Sequence, residues 1–298
     1  MSYEFTTLQA ARRARPSDGS AASSAMLDPS MLRGGALTER SRRIWSAGEY
    51  DRISAGFRHE ADAFVGRLSL ASDLDVLDAA CGSGNLTIPA ARLGARVTAL
   101  DLVSSLLALT DAWAMREGLS IRLDQGTVED LPYADARFDV VMSMFGVMFA
   151  ARPDRVVSEL ARVTRRGGRI ALANWTRRGF VGEMLAMHGK YLSPPAEIPS
   201  PLLWGDESCI RERFDERAWK VETRLRTLTF RYPHTPGGTA KLFRTAYGPT
   251  VQTLEMLDNE SRGMLASDLA DLWADHQRIG AAGTVVDSEY LEVIAVRR

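Results

Sequence analysis

Short apolar runs and amphipathic stretches alternate in a regular order through the middle of the chain. The apolar runs predict β-strands near 74–79, 96–101, 119–124, 138–143 and 168–174, and the stretches between them predict helices near 85–93, 104–117 and 153–165. Strands that alternate with helices in this way predict a parallel sheet with right-handed crossovers. The middle of the chain is therefore predicted to be α/β, with a doubly wound sheet.

The pattern changes on both sides of this region. Residues 41–70 have helical spacing, whereas residues 1–40 are polar and rich in Ala, Ser and Arg, which predicts a flexible N-terminal arm. After Trp175 the pattern predicts helices near 180–191 and 206–213, an edge strand at 219–231, a helical region at 238–281 and a last strand at 288–298. We thus expect three parts: the arm at 1–40, a core with N-terminal helices at 41–175, and cap segments with the last two strands at 176–298.

Composition narrows the class of protein. The chain has 298 residues, is 45% hydrophobic and carries a net charge of −1, so no strong basic field attracts nucleic acid or an acidic membrane. No apolar run reaches the roughly 18 residues that span a bilayer. The two cysteines, Cys81 and Cys209, indicate neither a disulfide framework nor a metal cluster, and no zinc-like spacing occurs. Because Cys81 lies in the turn described next, a reducing, cytoplasmic location is expected.

A glycine-rich turn between two apolar strands is the main chemical signal. Asp78 ends the first strand, Gly82 and Gly84 follow, and Asp101 ends the second strand 23 residues after Asp78. Glycines let the backbone pass close to a ligand, and an acid about 20 residues after the first strand is typical of ribose binding. A nucleoside-binding site is therefore predicted at this turn.

The same turn argues against a pyrophosphate ligand. A dinucleotide fold has a third glycine where this chain has Thr87, and no Gly-Lys-Ser/Thr phosphate loop is present. Asp78 would repel a pyrophosphate at close range, but it would attract a cation. S-adenosylmethionine has a sulfonium, an ammonium, a ribose diol and no phosphate, and it fits this pattern.

Four motifs carry a resemblance to a known family. In order, they occupy residues 78–84, 125–133, 137–145 and 165–172. With these motifs the chain resembles the class I S-adenosylmethionine-dependent methyltransferases, and it looks closest to the ubiquinone/menaquinone-biosynthesis branch. The resemblance covers residues 45–175. It implies S-adenosylmethionine as methyl donor, S-adenosylhomocysteine as product, and a Rossmann-like seven-stranded sheet of order 3-2-1-4-5-7-6. The cap would then be inserted after strand 5 and between strands 6 and 7.

The resemblance also assigns cofactor contacts. The glycine turn would line the methionine moiety, Asp101 would bind the ribose hydroxyls, and Tyr50 would lie over the sulfonium, as suits an aromatic face. Position 127 is a departure, because the family usually has there an Asp that contacts the adenine amine. Thr127 or the Val128 backbone N–H would have to serve instead. The predicted cofactor-binding residues are Tyr50, Asp78, Ala80, Gly82, Gly84, Asp101, Leu102, Thr127, Val128 and Met144.

Candidates for acceptor binding and catalysis follow from residue chemistry. Soft apolar residues after strand 4, among them Phe145 and Met148, predict an adaptable acceptor pocket. Guanidinium groups match carboxylates, which makes Arg231 and Arg244, together with Tyr247, candidates for an acidic acceptor. If the acceptor must lose a proton, a base is needed. The candidate bases are His188 and His234.

The leading prediction is an enzyme that methylates a small, partly apolar molecule. O- or C-methylation is favoured, because residues 143–146 read Ser-Met-Phe-Gly where nucleic-acid and amine methyltransferases often carry an Asn/Asp-Pro-Pro-aromatic motif. Two alternatives stay open: a non-catalytic S-adenosylmethionine-binding protein and a nicotinamide-dependent oxidoreductase. No nucleic-acid or membrane partner is expected, and the long arm leaves self-association open.

Overall fold

A computed structural model describes residues 29–298, and residues 1–28 lie outside the described part of the chain. The first half comprises α1 (Pro29–Ser46), α2 (Tyr50–Ser54), α3 (Arg58–Arg67), β1 (Asp75–Ala79), α4 (Thr87–Arg92), β2 (Arg96–Asp101), α5 (Ser104–Glu117), β3 (Arg122–Gln125) and β4 (Phe138–Met144). The second half comprises α6 (Pro153–Val163), β5 (Thr164–Trp175), α7 (Phe180–Tyr191), α8 (Glu207–Arg213), β6 (Trp219–Tyr232), α9 (Pro236–Ala246), α10 (Gly248–Met256), α11 (Asn259–Asp275) and β7 (Thr284–Arg297).

The strands form one seven-stranded sheet of order β3-β2-β1-β4-β5-β7-β6, as predicted. The first five strands are parallel, and β7 runs antiparallel to both β5 and β6. The strand order reverses between β1 and β4, and in an open α/β sheet the ligand crevice lies beyond the carboxyl ends of the strands at such a point. The fold therefore places Asp78, Asp101 and Met144 around one crevice.

The first helix differs from the predicted arm. Residues 1–28 of the arm lie outside the described part, but residues 29–40 belong to α1. This helix is fastened by distant parts of the chain: Gly34 packs against the Arg152 guanidinium, and the Glu49 backbone N–H just beyond the helix donates to the Ala246 carbonyl at 2.9 Å. Tertiary contacts of this kind cannot be inferred from amino-acid composition. The polar composition of residues 1–40 therefore predicted a flexible segment, although residues 29–40 are helical.

The cap is more finely divided than its helical pattern suggested. The region predicted as helical at 238–281 holds three helices, α9, α10 and α11, and β7 begins at Thr284 rather than at 288. Pro249 lies in the first turn of α10, and the Asp258 carboxylate caps α11 by accepting from the Ser261 N–H at 2.8 Å. A proline at a helix start and an acid before one are boundary signals. The cap helices pack on one another around Trp273, which is fully buried.

Candidate active site

The crevice at the carboxyl ends of β1, β2 and β4 holds a cavity. Its empty volume, including the part open to solvent, is about 990 Å³. Its walls come from α1, α2, the β1 turn, the loops after β2 and β3, and the exit of β4. The lining residues are Thr38, Ser41, Trp45, Tyr50, Ser54, Phe57, Asp78, Ala80, Cys81, Gly82, Ser83, Asn85, Leu86, Leu100, Asp101, Leu102, Leu106, Gly126, Thr127, Val128, Glu129, Met144, Phe145, Gly146, Phe149 and Ala150.

The turn after β1 has a left-handed backbone at the cavity floor. Ala80 has φ +59° and Gly82 has φ +58°. A non-glycine residue in this region is uncommon, and such backbone geometry tends to cluster at ligand sites. A Cβ on Gly82 would lie 3.6 Å from the Tyr50 ring, so this glycine faces the cavity beneath that ring. The predicted close approach of a ligand is therefore available at Gly82.

Gly84 packs against a neighbouring helix. It has φ +91°, and a Cβ there would lie 2.8 Å from Cγ2 of Thr110 on α5. Gly84 does not line the cavity. Its missing side chain lets the turn pack against α5, whereas a ligand contact at Gly84 stays a prediction.

Asp101 is held at the cavity by two backbone hydrogen bonds. One carboxylate oxygen accepts from the Gly82 N–H at 2.8 Å and the other accepts from the Val103 N–H at 2.9 Å. Each carboxylate oxygen can accept a second hydrogen bond, as a diol would require. Burial raises the pKa of Asp101, while the backbone donors of Val103 and Gly82 oppose the shift.

Asp78 lies deeper, on the central strand. Its carboxylate accepts from the Thr87 hydroxyl at 2.6 Å, and the side chain is 1% exposed. Burial raises the pKa of Asp78 to about 7, with a further contribution from the negative charge of Asp101. A cation in the cavity would favour the ionised form of this acid.

The loop after β3 closes one end of the cavity. Leu102, Thr127 and Val128, which were predicted to bind the cofactor, line the cavity. The Thr127 hydroxyl accepts from the Glu129 N–H at 3.3 Å. The Glu129 carboxylate is itself occupied, because it accepts from the Arg152 backbone N–H at 2.7 Å and from Arg152 Nε at 2.8 Å. This end therefore offers hydroxyl and apolar groups to a ligand.

Tyr50 lines the cavity on its α2 side, and its contact with a cofactor stays a prediction. Its ring meets the Trp45 ring edge to face with centroids 5.5 Å apart. Burial and the Asp101 charge raise the pKa of the Tyr50 phenol. The phenol therefore stays neutral at pH 7, and its ring face is available to a cation.

The β4 exit supplies an aromatic wall. Met144 and Phe145 line the cavity, and Phe145 has φ +59°. Phe145 is held by stacking on Trp175 at 3.6 Å and by its N–H, which donates to the Ala173 carbonyl at 2.8 Å. Met148, also predicted to line the acceptor pocket, is 1% exposed and does not line the cavity.

The predicted bases and cationic side chains are not brought to the cavity. His188 is buried, with Nδ1 2.6 Å from the Met184 carbonyl and Nε2 2.9 Å from the Thr250 hydroxyl. Burial lowers its pKa, so it is a neutral packing group. His234 and Arg231 are exposed near the end of β6, and Arg244 is exposed on α9. None of these four residues lines the cavity.

Tyr247 is also outside the cavity, one layer behind its wall. It is 5% exposed, and its ring meets that of the lining residue Trp45 with centroids 6.0 Å apart. No residue of 176–298 lines the cavity, so the predicted acceptor-binding cap segments do not reach it in this structure.

The lining residues that sequence reasoning missed come from α1 and α2, from the β1 turn and from the loops after β3 and β4. The missed polar residues are Thr38, Ser41, Ser54, Ser83, Asn85 and Glu129, and the missed aromatic residues are Trp45 and Phe57. Only the aromatic spacing in 45–57 was a usable signal. The hydroxyl groups of α1 could be found only by knowing where that helix lies.

The described part of the chain has neither a candidate metal cluster nor a candidate membrane-spanning helix. Residues 29–298 contain no group of three or more His, Cys, Asp or Glu side chains placed to hold a metal ion. No helix in this range is long and apolar enough to cross a membrane.

Known proteins share this fold and its central motifs. The family described as "Methyltransferase domain" matches residues 77–172. An uncharacterized protein of Mycobacterium tuberculosis is 34% identical over 254 residues, which is 84% of this chain and 91% of that protein. The YcgJ protein from Bacillus subtilis, a solved structure, has a TM-score of 0.56 at 16% identity and covers 80% of this chain and 98% of its own.

Two named enzymes match over the core alone. The malonyl-[acyl-carrier protein] O-methyltransferase of Pectobacterium atrosepticum is 36% identical over 128 residues, 43% of this chain and 49% of the enzyme. The ubiquinone/menaquinone biosynthesis C-methyltransferase of Bdellovibrio bacteriovorus is 36% identical over 132 residues, 42% of this chain and 56% of the enzyme.

Proposed function

The chain belongs to the class I S-adenosylmethionine-dependent methyltransferases, and from this premise we propose that it transfers a methyl group to a small, partly apolar molecule. The observation that carries the proposal is the cavity itself. Within it, the Gly82 turn, the Asp101 carboxylate and the Thr127–Val128 loop follow the neighbouring strands β1, β2 and β3, and we propose that they hold the methionine moiety, the ribose and the base in that order.

The residues fit such a cofactor. Asn85 lines the cavity, and its Oδ1 is buried without a hydrogen-bond partner, so a donor such as an ammonium would satisfy it. Asp101 would hold the ribose diol, and Leu102 and Val128 would contact the base. Asp78 and the Tyr50 ring would favour positive charge between them.

The protein's catalytic contribution is chiefly positional. S-adenosylmethionine supplies an activated methyl group for in-line displacement, and the walls must hold the acceptor about 3–3.5 Å from it. The described cavity residues include no histidine or lysine. We therefore propose that proton removal, where the acceptor requires it, goes to a carboxylate of the cavity or to solvent.

The atom that receives the methyl group is the finer part of the proposal. We favour oxygen or carbon, because residues 143–146 lack the motif often found in amine methyltransferases. The core is equally similar to an O-methyltransferase and to a C-methyltransferase, so its similarity favours neither. The quinone branch is likewise a proposal, supported by a match to 42% of this chain.

We also propose that the protein works in the cytoplasm without a nucleic-acid or membrane partner. The free thiol of Cys81 lines the cavity, where oxidation would damage the site, and a reducing compartment prevents this. Self-association stays open.

Calorimetry tests the donor. The protein is titrated with S-adenosylmethionine, with S-adenosylhomocysteine and with NAD. We expect both sulfur nucleosides to bind at a one-to-one ratio and NAD to give no signal. Binding of NAD alone would overturn the proposal in favour of an oxidoreductase.

Turnover then separates an enzyme from a binding protein. The protein is incubated with S-adenosylmethionine and a panel of phenols, enols and activated carbon acids, and S-adenosylhomocysteine is measured. We expect its formation with at least one acceptor. Tight cofactor binding without any methyl consumption would favour the non-catalytic alternative.

A further inference from the structure

All charged side chains among the described residues that line the cavity are acidic. Among the described residues that line it, the charged side chains are Asp78, Asp101 and Glu129, and no lysine, arginine or histidine is present. Glu129 is neutralised by Arg152, with Nη2 of the arginine 2.8 Å from Oε2 of the glutamate. Asp78 and Asp101 have no cationic partner, and they bond instead to a hydroxyl and to backbone N–H groups.

Five aromatic side chains also line the cavity, beside uncharged hydroxyl and amide groups. Trp45 meets Phe149 edge to face with centroids 5.1 Å apart, and Phe57 meets Phe145 in the same way at 5.8 Å. Together with Tyr50, these rings line one continuous cavity. They present apolar faces and edges, and their only polar atoms are the Tyr50 hydroxyl and the Trp45 indole N–H.

The arginines suited to a carboxylated acceptor lie elsewhere. Arg231 is exposed on the edge strand β6, and Arg244 is exposed on α9. Arg152, which does approach the cavity, is held by Glu129 through its side chain and its backbone. An anion in the cavity would therefore find no free guanidinium or ammonium among the described residues.

We infer that the methyl acceptor is an uncharged, flat apolar molecule, and that the cavity rejects acceptors that carry a carboxylate, sulfonate or phosphate. This inference rests on the proposed function, because it concerns the space left beside the bound donor. An anion would leave water without gaining a cationic side chain from the described lining residues, and the negative charges of Asp78 and Asp101 would oppose it. A neutral aromatic molecule would gain apolar contact at no such cost.

A matched pair of dyes tests the inference without knowledge of the acceptor. N-Phenyl-1-naphthylamine is neutral at pH 7, and 1-anilinonaphthalene-8-sulfonate is the same molecule with a sulfonate. Each is titrated by fluorescence into protein saturated with S-adenosylhomocysteine. We expect the neutral dye to bind one per chain and the sulfonate to bind about tenfold more weakly or worse. Equal or tighter binding of the sulfonate would overturn the inference.

Two variants show whether the dye occupies the cavity. Ala150 lines the cavity, and Ala150→Trp fills part of it, whereas Ala71 is exposed in the loop before β1. We expect Ala150→Trp to weaken neutral-dye binding about tenfold or more and Ala71→Trp to leave it unchanged. An equal effect of both variants would contradict the inference.

The order of measurement separates the two proposals. If S-adenosylhomocysteine fails to bind in calorimetry, the proposed function fails. If S-adenosylhomocysteine binds but the loaded protein takes up neither dye, only the acceptor inference fails, because no apolar room remains beside the cofactor.

Discussion

Two aromatic regions of this molecule differ in what their rings enclose. The cavity wall around Trp45 and Phe145 surrounds empty space. The cap around Trp273 is filled by neighbouring rings, since Phe180 and Phe243 approach the Trp273 ring with centroids 4.2 Å and 4.8 Å away. Aromatic content alone therefore does not distinguish a site from a core.

Backbone strain and buried charge make the difference. The cavity wall includes Ala80 and Phe145 with positive φ, and two carboxylates lie at its floor. The described cap helices hold no non-glycine residue with positive φ. Strained backbone and unpaired buried acids reduce stability, and they persist where function requires them. We therefore expect damage to the cap to reduce stability and damage to the wall to reduce binding.

The largest effect should come from paired tryptophan substitutions. Trp273→Ala removes a fully buried ring and should lower the free energy of unfolding by about 3–5 kcal/mol. Trp45 is half-buried, so Trp45→Ala should lower it by about 1–2 kcal/mol. Urea unfolding followed by circular dichroism measures both.

Ligand affinity should depend more on Trp45 than on Trp273, the reverse of the order expected for stability. Below the unfolding transition, Trp273→Ala should keep its affinity for S-adenosylhomocysteine, whereas Trp45→Ala should lose affinity for that ligand or for the neutral dye. A cap variant that remains folded but fails to bind would contradict the division between the two regions.

The two glycines of the β1 turn sharpen the comparison within a few residues. Gly84→Ala should lower the free energy of unfolding by about 2–3 kcal/mol. The new Cβ would clash with the Thr110 side chain, and Gly84 has φ +91°, which strains any other residue. Gly82→Ala should lower the free energy of unfolding by about 1 kcal/mol, since φ +58° is the milder left-handed region and the nearest ring atom is 3.6 Å away. Thermal unfolding of the two variants in parallel checks the order, and a larger loss for Gly82→Ala would reverse our assignment.

Asp101 should affect cofactor affinity directly. Asp101→Ala removes the acceptor for a ribose diol and leaves the Gly82 and Val103 N–H groups without their partner. We expect binding of S-adenosylhomocysteine to weaken by about 1–3 kcal/mol in calorimetry. Asp101→Asn keeps one acceptor oxygen and should lose less. If both variants bind as well as the parent, the ribose lies elsewhere.

Asp78 predicts a pH dependence with a definite sign. The pKa of Asp78 is about 7 in the folded protein, whereas its ordinary value is 3.8, so the folded state binds this proton more tightly than the unfolded state. The contribution of protonated Asp78 to the free energy of unfolding is therefore lost as the pH rises from 4 to 7. The affinity of the cavity for a cation should follow the fraction of Asp78 that is ionised. Affinity for S-adenosylmethionine should therefore rise about tenfold from pH 6 to pH 8.

The isosteric variant is the control for this titration. Asp78→Asn cannot ionise, and its affinity profile should be flat over the same range. A flat profile in the parent protein, or an unchanged slope in Asp78→Asn, would assign the pH dependence to another group.

Much of the sheet was predictable because local signals agree there. The apolar runs that end in Asp78 and Asp101 mark β1 and β2 closely, and the strand order follows from the family resemblance. Some residues near element ends were likewise predictable: Ala80 follows β1, Thr127 follows β3, Tyr50 begins α2, and all three line the cavity. Their positions follow from local motif spacing, which the sequence displays.

The remainder depends on contacts between distant segments. Thr38 reaches the cavity only because α1 is fastened near Arg152 and α10. Gly84 is read as a ligand contact in the motif, and its packing against Thr110 of the neighbouring helix is visible only in the fold. His188 has the right chemistry for a base, and only the fold shows that both its nitrogens are engaged. Residue type alone does not reveal such pairings.

The smallest effects should come from the cap residues whose chemistry suggested a role. His234 and Arg244 are exposed and lie outside the cavity, so His234→Ala and Arg244→Ala should leave cofactor affinity and methyl-transfer rate within about twofold of the parent. The measurement is calorimetry together with S-adenosylhomocysteine release. A tenfold loss of rate with unchanged affinity in either variant would mean that the cap moves onto the acceptor during turnover. The separation between the packed cap and the cavity would then hold for the enzyme without its acceptor, and the cap would join the site during methyl transfer.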